Sequence, residues 1–132
     1  MNVYLNGTNI ESRKNKTFSY QEFLGDLEFE IYDEGIHTVI MYDMSTNPIH
    51  INYLVEDILK GNLEAGTNTI SYEEPYPKSS GINEYFIDLY EQPFILNSHN
   101  SNSDVDRHYD FKPLIRINDL KLVKRIILNV AY

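Results

Sequence analysis

Acidic and imidazole side chains recur at every second position near the end of the sequence. Asp104, Asp106, His108 and Asp110 lie in the segment DVDRHYD, and oxygen and imidazole groups of this kind bind divalent cations. A spacing of two places them on one side of an extended segment. The segment lacks the glycine and the closing glutamate of a calcium-binding loop, and no second group of ligands accompanies it. We therefore interpret it as a solvated acidic loop, and we predict no metal and no cofactor.

The short patterns that mark common catalytic sites do not occur in the sequence. It has no Gly-x-Ser-x-Gly nucleophile elbow, no Gly-x-Gly-x-x-Gly and no Gly-Lys-Ser/Thr phosphate loop. His37 begins a strand-like segment and His99 lies in a polar stretch, so we interpret both as surface or structural residues. A Ser-His-Asp set can assemble from distant positions, and spacing alone leaves that alternative open. Because no pattern favours catalysis, we predict that the protein is not an enzyme.

The composition is that of an acidic chain without cysteine. Its 132 residues include 20 Asp and Glu against 11 Lys and Arg, which gives a net charge of −9. This balance argues against nucleic-acid binding, which depends on cations that neutralise phosphates. The length fits one domain, residues 1–132. No apolar run reaches the ~20 residues that span a bilayer, and the N-terminus lacks the apolar core of a signal peptide. We therefore expect a cytoplasmic protein.

Short apolar segments separated by turn residues predict a mainly β fold. The predicted strands cover 27–33, 36–43, 49–56, 84–91 and 124–132. In the first of them, apolar Leu27, Phe29 and Ile31 alternate with glutamates, which predicts one buried and one solvated face. Because the strands are not separated by long helices, we expect antiparallel sheets rather than a parallel βαβ arrangement.

Two connections have specific turn and helix signals. Gly35 follows Asp33 and Glu34, and this turn predicts a hairpin that joins strands 27–33 and 36–43. A short helical turn is predicted within KPLIRINDLKL, residues 112–122, where Pro113 occupies the first position. We therefore expect one or two short helices at most.

Three segments carry a pattern in a fixed order. HTVIMYDMSTNP (37–48) is a strand that ends in an acidic turn, and HINYLVEDILKGN (50–62) is a strand that ends in Gly-Asn. PYPKSSGINEYFIDLYEQP (75–93) is the most specific segment, because its Pro, Gly, Tyr and Tyr-Glu-Gln positions occur in register. Together they resemble the phosphatidylethanolamine-binding protein family, which includes the Raf kinase inhibitor protein. The resemblance implies a large antiparallel sheet packed on a smaller one, a small anion pocket at one end, and loss of the family's C-terminal helix.

The resemblance also implies which residues form the pocket. They are Asp43, His50, Asn52, Pro77, Asn83 and Tyr85. Asp43-Met44-Ser45 keeps one acid of the family's Asp-Pro-Asp turn, and Asn83-Glu84 replaces its His-Arg pair. The family's strand histidine corresponds to Asn52, while His50 lies two residues earlier on the same strand face. Tyr76-Pro77 is the expected position of a cis peptide bond.

The loss of cationic donors predicts an altered function. Phosphate binding needs convergent donors and positive charge, whereas amides and Glu84 stand here and the net charge repels anions. We predict a non-catalytic protein-interaction domain with a degraded or altered anion pocket and a partner with a basic surface. The alternative is a small ligand, such as a phospholipid headgroup, bound in the remodelled pocket. High Asn, Ile, Lys and Tyr usage is typical of AT-rich genes, so we expect a large DNA virus as the source, and host cytoplasm or virion as the location.

Overall fold

A computed structural model describes residues 1–75, 81–98, 106–108 and 110–132. The strands in this part of the chain are β1 (Asn2–Leu5), β2 (Thr8–Asn9), β3 (Thr17–Ser19), β4 (Leu27–Glu30), β5 (Ile36–Asp43), β6 (His50–Leu59), β7 (Thr67–Ile70), β8 (Ile82–Gln92) and β9 (Lys121–Ala131). Helix α1 spans Lys112–Ile117, and 3-10 turns cover Ile10–Ser12, Tyr20–Leu24 and Leu63–Ala65. The prediction of a mainly β fold with a short helix is confirmed.

The strands form a small and a large sheet, as predicted. The small sheet has the order β2-β1-β4, and the large sheet has the order β3-β9-β8-β5-β6-β7. Strand β5 lies inside the large sheet, between β8 and β6. Both faces of the sheet are covered there, so seven of its eight residues, all except Ile36, are buried. At the edge, β3 runs parallel to β9, which differs from the expected antiparallel arrangement. This short pairing places the Phe18 ring in the core, where it is 2% exposed.

Apolar residues cover both faces of the large sheet. One face packs on the small sheet through β1 residues such as Val3 and through Val39, Met41 and Ile87 of the large sheet. The other face packs on α1 and its flanking residues, where Phe111 contributes to a second core. Among the described residues, no helix has the length and apolar character needed to cross a bilayer.

The predicted hairpin at Gly35 is wrong. Gly35 does form a turn, with a φ of +98° that favours glycine, but β4 and β5 belong to different sheets. Strand β4 pairs with β1, so that Leu27 lies opposite Leu5. The alternation in β4 correctly predicts an inward face, yet alternation does not specify the pairing partner. Here the turn carries the chain from one sheet to the other.

The predicted helical turn is present, and a cis proline bond lies at another position than the predicted one. Helix α1 carries Pro113 in its first turn, where a missing N–H costs no hydrogen bond. The described residues include a cis peptide bond at Asn47–Pro48, in the connection between β5 and β6. The expected cis bond at Tyr76–Pro77 lies outside the described residues.

Candidate functional site

Three of the predicted pocket residues lie side by side at one end of the large sheet. Asp43 ends β5 and pairs with His50 of β6 on one side and with Tyr85 of β8 on the other. Directly opposed residues of neighbouring strands point to the same face. All three are buried. The sheet therefore brings a carboxylate, an imidazole and a phenol into one row.

The Asp43 carboxylate is bound by neutral donors. The backbone N–H of Ser45 donates to Oδ1 at 2.8 Å, which closes a short turn after β5. The side-chain amide of Asn83 donates to Oδ2 at 3.0 Å. The charge of Asp43 also acts on the Tyr85 hydroxyl. Asn83 and Tyr85 thus both interact with Asp43, as expected for residues of a shared site.

The hydroxyl groups of Tyr85 and Tyr132 are hydrogen bonded to each other. Burial raises the pKa of Tyr85 well above its usual value, and the bonds to Tyr132 and the charge of Asp43 act in the same direction. The phenol therefore stays protonated at neutral pH and serves as a hydrogen-bond donor. The sequence did not identify Tyr132 as part of this group.

Asn52 reaches the site through a β-bulge. Met41 pairs with Tyr53 and Tyr42 with Ile51, so Asn52 is the extra residue of β6 at this register shift. A bulge of this kind re-aims a side chain. The Asn52 amide donates to the backbone carbonyl of Glu73 at 2.9 Å.

Glu73 connects His50 to a cation. His50 Nε2 lies 2.9 Å from Glu73 Oε1, and Arg107 Nε lies 3.0 Å from Glu73 Oε2. Arg107 also donates to the backbone carbonyls of Ile51 and Asn52 at 3.3 Å. The side chains of Arg107 and Glu73 are 21% and 29% exposed, so this ion pair is shielded from much of the solvent. The positive charge of Arg107 is thereby neutralised within the chain.

A second histidine completes this group. His108 Nε2 lies 3.2 Å from His50 Nδ1, and the two residues also form a β-bridge. Since a carboxylate only accepts hydrogen bonds, His50 Nε2 donates to Glu73. In the neutral state His50 Nδ1 then accepts from the Nε2–H of His108. The arrangement fixes one tautomer for each ring.

The segment around residues 106–110, which we predicted to be a solvated acidic loop, contributes two residues to the site that were not predicted to belong to it. His108 and Arg107 belong to the segment that we predicted to be solvated, and both contact β6. Asp106 and Asp110 accept backbone N–H groups of His108 and Lys112, as side chains of turn residues do. Asp104 and Pro77 lie outside the described residues. Among the described residues, no three His, Asp or Glu side chains are grouped so that they could hold a metal ion.

Among the described residues, the contacts of this site are hydrogen bonds and ion pairs that hold its side chains in place. His50 faces a carboxylate and another imidazole, and the Thr46 hydroxyl donates to the Asp43 carbonyl and accepts the backbone N–H of His50. A general base of the Ser-His-Asp type needs a nucleophile within hydrogen-bond reach of the imidazole. The contacts of His50 with Glu73 and His108 do not supply one.

Comparison with known proteins identifies the fold. No family model and no curated protein matches the sequence. The structure of carboxypeptidase Y inhibitor complexed with its cognate proteinase matches with a TM-score of 0.68 and 15% identity, over 98% of this chain and 81% of that one. That inhibitor has the fold of phosphatidylethanolamine-binding proteins. The present chain has a phosphatidylethanolamine-binding-protein-like fold.

A second solved structure is similar over a smaller part of the chain. It is a phosphatidylethanolamine-binding protein homolog from Chlamydia trachomatis, with a TM-score of 0.48 and 15% identity, over 80% of this chain and 76% of that one. The match to carboxypeptidase Y inhibitor agrees with the resemblance of the three sequence segments. Its TM-score of 0.68 shows the fold, and an identity of 15% leaves the chemistry to the residues themselves.

Proposed function

We propose that this chain is a non-catalytic protein-binding domain whose anion pocket is altered. The proposal rests on one observation: side chains that could donate hydrogen bonds to a bound anion instead donate them to carboxylates of this chain. Asn83 donates to Asp43, while His50 and Arg107 bind Glu73. A phosphate entering this site would compete with both carboxylates for their donors and would be repelled by their charge.

The structural neighbour supports a protein partner. Carboxypeptidase Y inhibitor, with the same fold, is seen complexed with a proteinase. A scaffold of this shape can therefore present a surface to another protein. The net charge of −9 favours a partner with a basic surface, because complementary charge accelerates encounter.

Partner binding is tested by its salt dependence. The immobilised chain is used to isolate a partner, and the association rate of the purified pair is then measured at low and at physiological salt. We expect the rate to fall at least several-fold, since the Debye length shrinks to about 8 Å at physiological ionic strength. A rate of association that salt leaves unchanged would contradict steering by the acidic surface, and failure to form a saturable 1:1 complex would contradict the proposed function.

The altered pocket is tested with phosphorylethanolamine. We expect no rise in the melting temperature of the natural chain at millimolar ligand, because its donors already bind carboxylates. The double variant Asn83→His with Glu84→Arg should gain affinity, since it adds a cationic donor and removes a like charge. Ligand at 100 times its Kd would stabilise the variant by about 2.7 kcal/mol, which raises the melting temperature by several degrees.

Glu91→Arg provides the matched control for this experiment. Glu84 and Glu91 are exposed glutamates on β8, so the two substitutions change net charge equally at opposite ends of one strand. Glu91→Arg should leave the melting temperature insensitive to the ligand. An equal response from both variants would mean that net charge alone attracts the ligand, and no response from the double variant would contradict the pocket argument.

One observation favours small-ligand binding as a second candidate. The side-chain oxygen of Asn52 is buried and has no hydrogen-bond partner among the described residues. An unpaired buried acceptor costs about 1–3 kcal/mol, and an ammonium or hydroxyl donor of a zwitterionic ligand would remove that cost. Stabilisation of the natural chain by millimolar phosphorylethanolamine, lost in Asn52→Ala, would favour this function over the first.

A further inference from the structure

A cleft of about 610 Å³ lies between the small sheet and the 3-10 turn Leu63–Ala65. Its walls include Phe29, Tyr53, Tyr72, Asn62, Glu28 and Glu64. None of the five described residues predicted for the anion pocket lines it. Its size falls within the range of sites that bind small molecules or peptide side chains, so the cleft is a candidate site in its own right.

Three aromatic rings form a continuous wall of the cleft. The ring centroids of Phe29 and Tyr53 are 5.6 Å apart, and those of Tyr53 and Tyr72 are 5.7 Å apart. All three rings are half-buried, so each retains some exposed surface. Their packing against one another holds the wall rigid. Aromatic faces attract cations through the ring quadrupole, and an arginine side chain stacks on them well.

The charged residues that line the cleft have one sign among the described residues. Glu28 and Glu64 line it and are exposed, and the charge of Glu74 acts on the Tyr72 hydroxyl. Among the described residues that line the cleft, none is lysine or arginine. Lys60 lies next to the cleft in sequence but is not one of the lining residues. The surroundings thus favour a positively charged occupant.

A buried hydroxyl without a described partner belongs to one of the residues that line the cleft. The Tyr72 hydroxyl oxygen is buried and has no hydrogen-bond partner among the described residues, so a donor reaches it only after the Tyr72 ring turns toward the cleft. Leaving it unpaired costs free energy that a bound N–H donor would then recover. A guanidinium has five N–H donors in one plane, so it could donate to a rim glutamate while it stacks on a ring, and to this oxygen once the ring has turned.

We propose that this cleft binds an arginine side chain presented on an exposed segment of a basic protein partner. Aromatic wall, carboxylate rim and unpaired hydroxyl together fit guanidinium better than ammonium, which has no planar face for stacking. The proposal rests on the proposed function, because it identifies where the protein partner contacts this chain.

Two synthetic peptides test the proposal directly. One is acetyl-Gly-Ser-Arg-Ser-Gly-amide, and the other has citrulline, a neutral arginine analogue of nearly the same shape, in place of arginine. In nuclear magnetic resonance titrations we expect the arginine peptide to shift the amide signals of Leu63 and Glu64. The citrulline peptide should bind about tenfold more weakly, as expected when a charged donor is lost at a partly buried site.

Variants locate the binding and control for net charge. The pair Glu28→Gln and Glu64→Gln should weaken arginine-peptide binding by about tenfold, and Tyr72→Phe by severalfold because it removes only the hydroxyl. The pair Glu34→Gln and Glu91→Gln changes net charge equally at exposed positions outside the cleft. This control pair should bind the peptide within about twofold of the natural chain, since distant exposed charges are screened.

The outcomes separate this proposal from the proposed function. Absence of arginine-peptide binding, equal binding of the citrulline peptide, or equal weakening by both glutamate pairs would overturn the assignment of the cleft. If the purified partner still binds with a salt-dependent rate in that case, the proposed function stands and the contact lies elsewhere. Loss of partner binding in the cleft pair, with retention in the control pair, would support both.

Discussion

Two buried carboxylates on neighbouring strands of the large sheet have different partners. Asp88 lies in β8 and is 0% exposed, and Asp43 ends β5 and is 1% exposed. Asp88 faces the core beneath α1, where Arg125 donates to it twice, at 2.8 and 2.9 Å. Asp43 lies at the strand end, where its carboxylate accepts from an amide and a backbone N–H among the described residues.

The hydrogen-bonded cluster around Asp88 stabilises the fold. Tyr42 and Tyr90 also donate to its carboxylate, at 2.8 and 3.1 Å. Burial and the Asp88 charge raise the pKa of Tyr90 to about 12, so both phenols remain donors at all ordinary pH. Arg125 stacks over the Phe86 ring at 4.7 Å. A buried carboxylate with this many charge-assisted partners is fully satisfied.

The difference shows that a buried aspartate can contribute strongly to stability at one position and only moderately at another, depending on its partners. A buried charge paired with a cation resists substitution of either partner. A charge held by neutral donors at a strand end depends on hydrogen bonds that are each worth about 1.5–3 kcal/mol, and no ion pair is broken when one of them changes. Substitutions around Asp43 should therefore cost less than substitutions around Asp88.

The largest effect is expected for Asp88→Asn. This change leaves Arg125 without its carboxylate and turns one acceptor into a donor that faces donors, so we expect a loss of about 3 kcal/mol in the free energy of unfolding. Asp43→Asn should cost about 2 kcal/mol, since it weakens hydrogen bonds to a charged acceptor but breaks no ion pair. Urea unfolding at neutral pH measures both.

Equal losses from the two variants would remove the distinction between the two regions. A circular dichroism spectrum that retains the β signal of the natural chain is the control for folding. Should Asp88→Asn fail to fold, Tyr90→Phe tests the same cluster with a smaller change, because it removes one hydrogen bond and keeps the ring.

The central strands were predictable because their residues satisfy local rules. Strands β5, β6 and β8 combine β-branched and aromatic residues with turn residues at their ends, and the predicted bounds agree closely with those observed. The pairing of β4 was not predictable in this way. Its alternation fits any partner that leaves Leu27 and Phe29 facing inward, and the choice of β1 depends on the folding of the whole chain.

The candidate site was predictable only in part. Asp43, Asn83 and Tyr85 follow from the resemblance, and the strand register brings them together with His50. Glu73 and His108 come from irregular segments, and His108 is 58 positions from His50. The acidic neighbours of His108 led to the prediction of a solvated loop. The spacing of residues along the sequence does not indicate a contact between two loops and a strand. The contacts of Glu73 and His108 with His50 therefore require the three-dimensional structure.

A third buried carboxylate sharpens the comparison, because Glu56 has no cation bound to it among the contacts described. Glu56 is 2% exposed and accepts from Thr69 at 2.7 Å. Burial raises the pKa of Glu56, the hydrogen bonds from Thr69 and Ser98 oppose this, and the nearby charge of Asp57 adds to the rise. The smallest of the predicted effects, a change of stability with pH, follows from this raised pKa.

The native state holds the Glu56 proton more tightly than the unfolded chain does, so stability contributed by protonated Glu56 is present at low pH. It is lost as the pH rises from the ordinary carboxyl value of 4.5 through the raised native pKa, at no more than about 1.4 kcal/mol per pH unit.

The variant Glu56→Gln lacks this titration. In urea unfolding between pH 4 and 7.5, the natural chain should therefore lose stability relative to Glu56→Gln, and the gap should become constant above the native pKa. Glu91→Gln, at an exposed position of β8, is the control and should show little such drift. A gap that is constant throughout would mean that folding leaves the pKa of Glu56 unchanged, and a gap that moves in favour of the natural chain as the pH rises would mean that folding stabilises the Glu56 carboxylate, as it does that of Asp88.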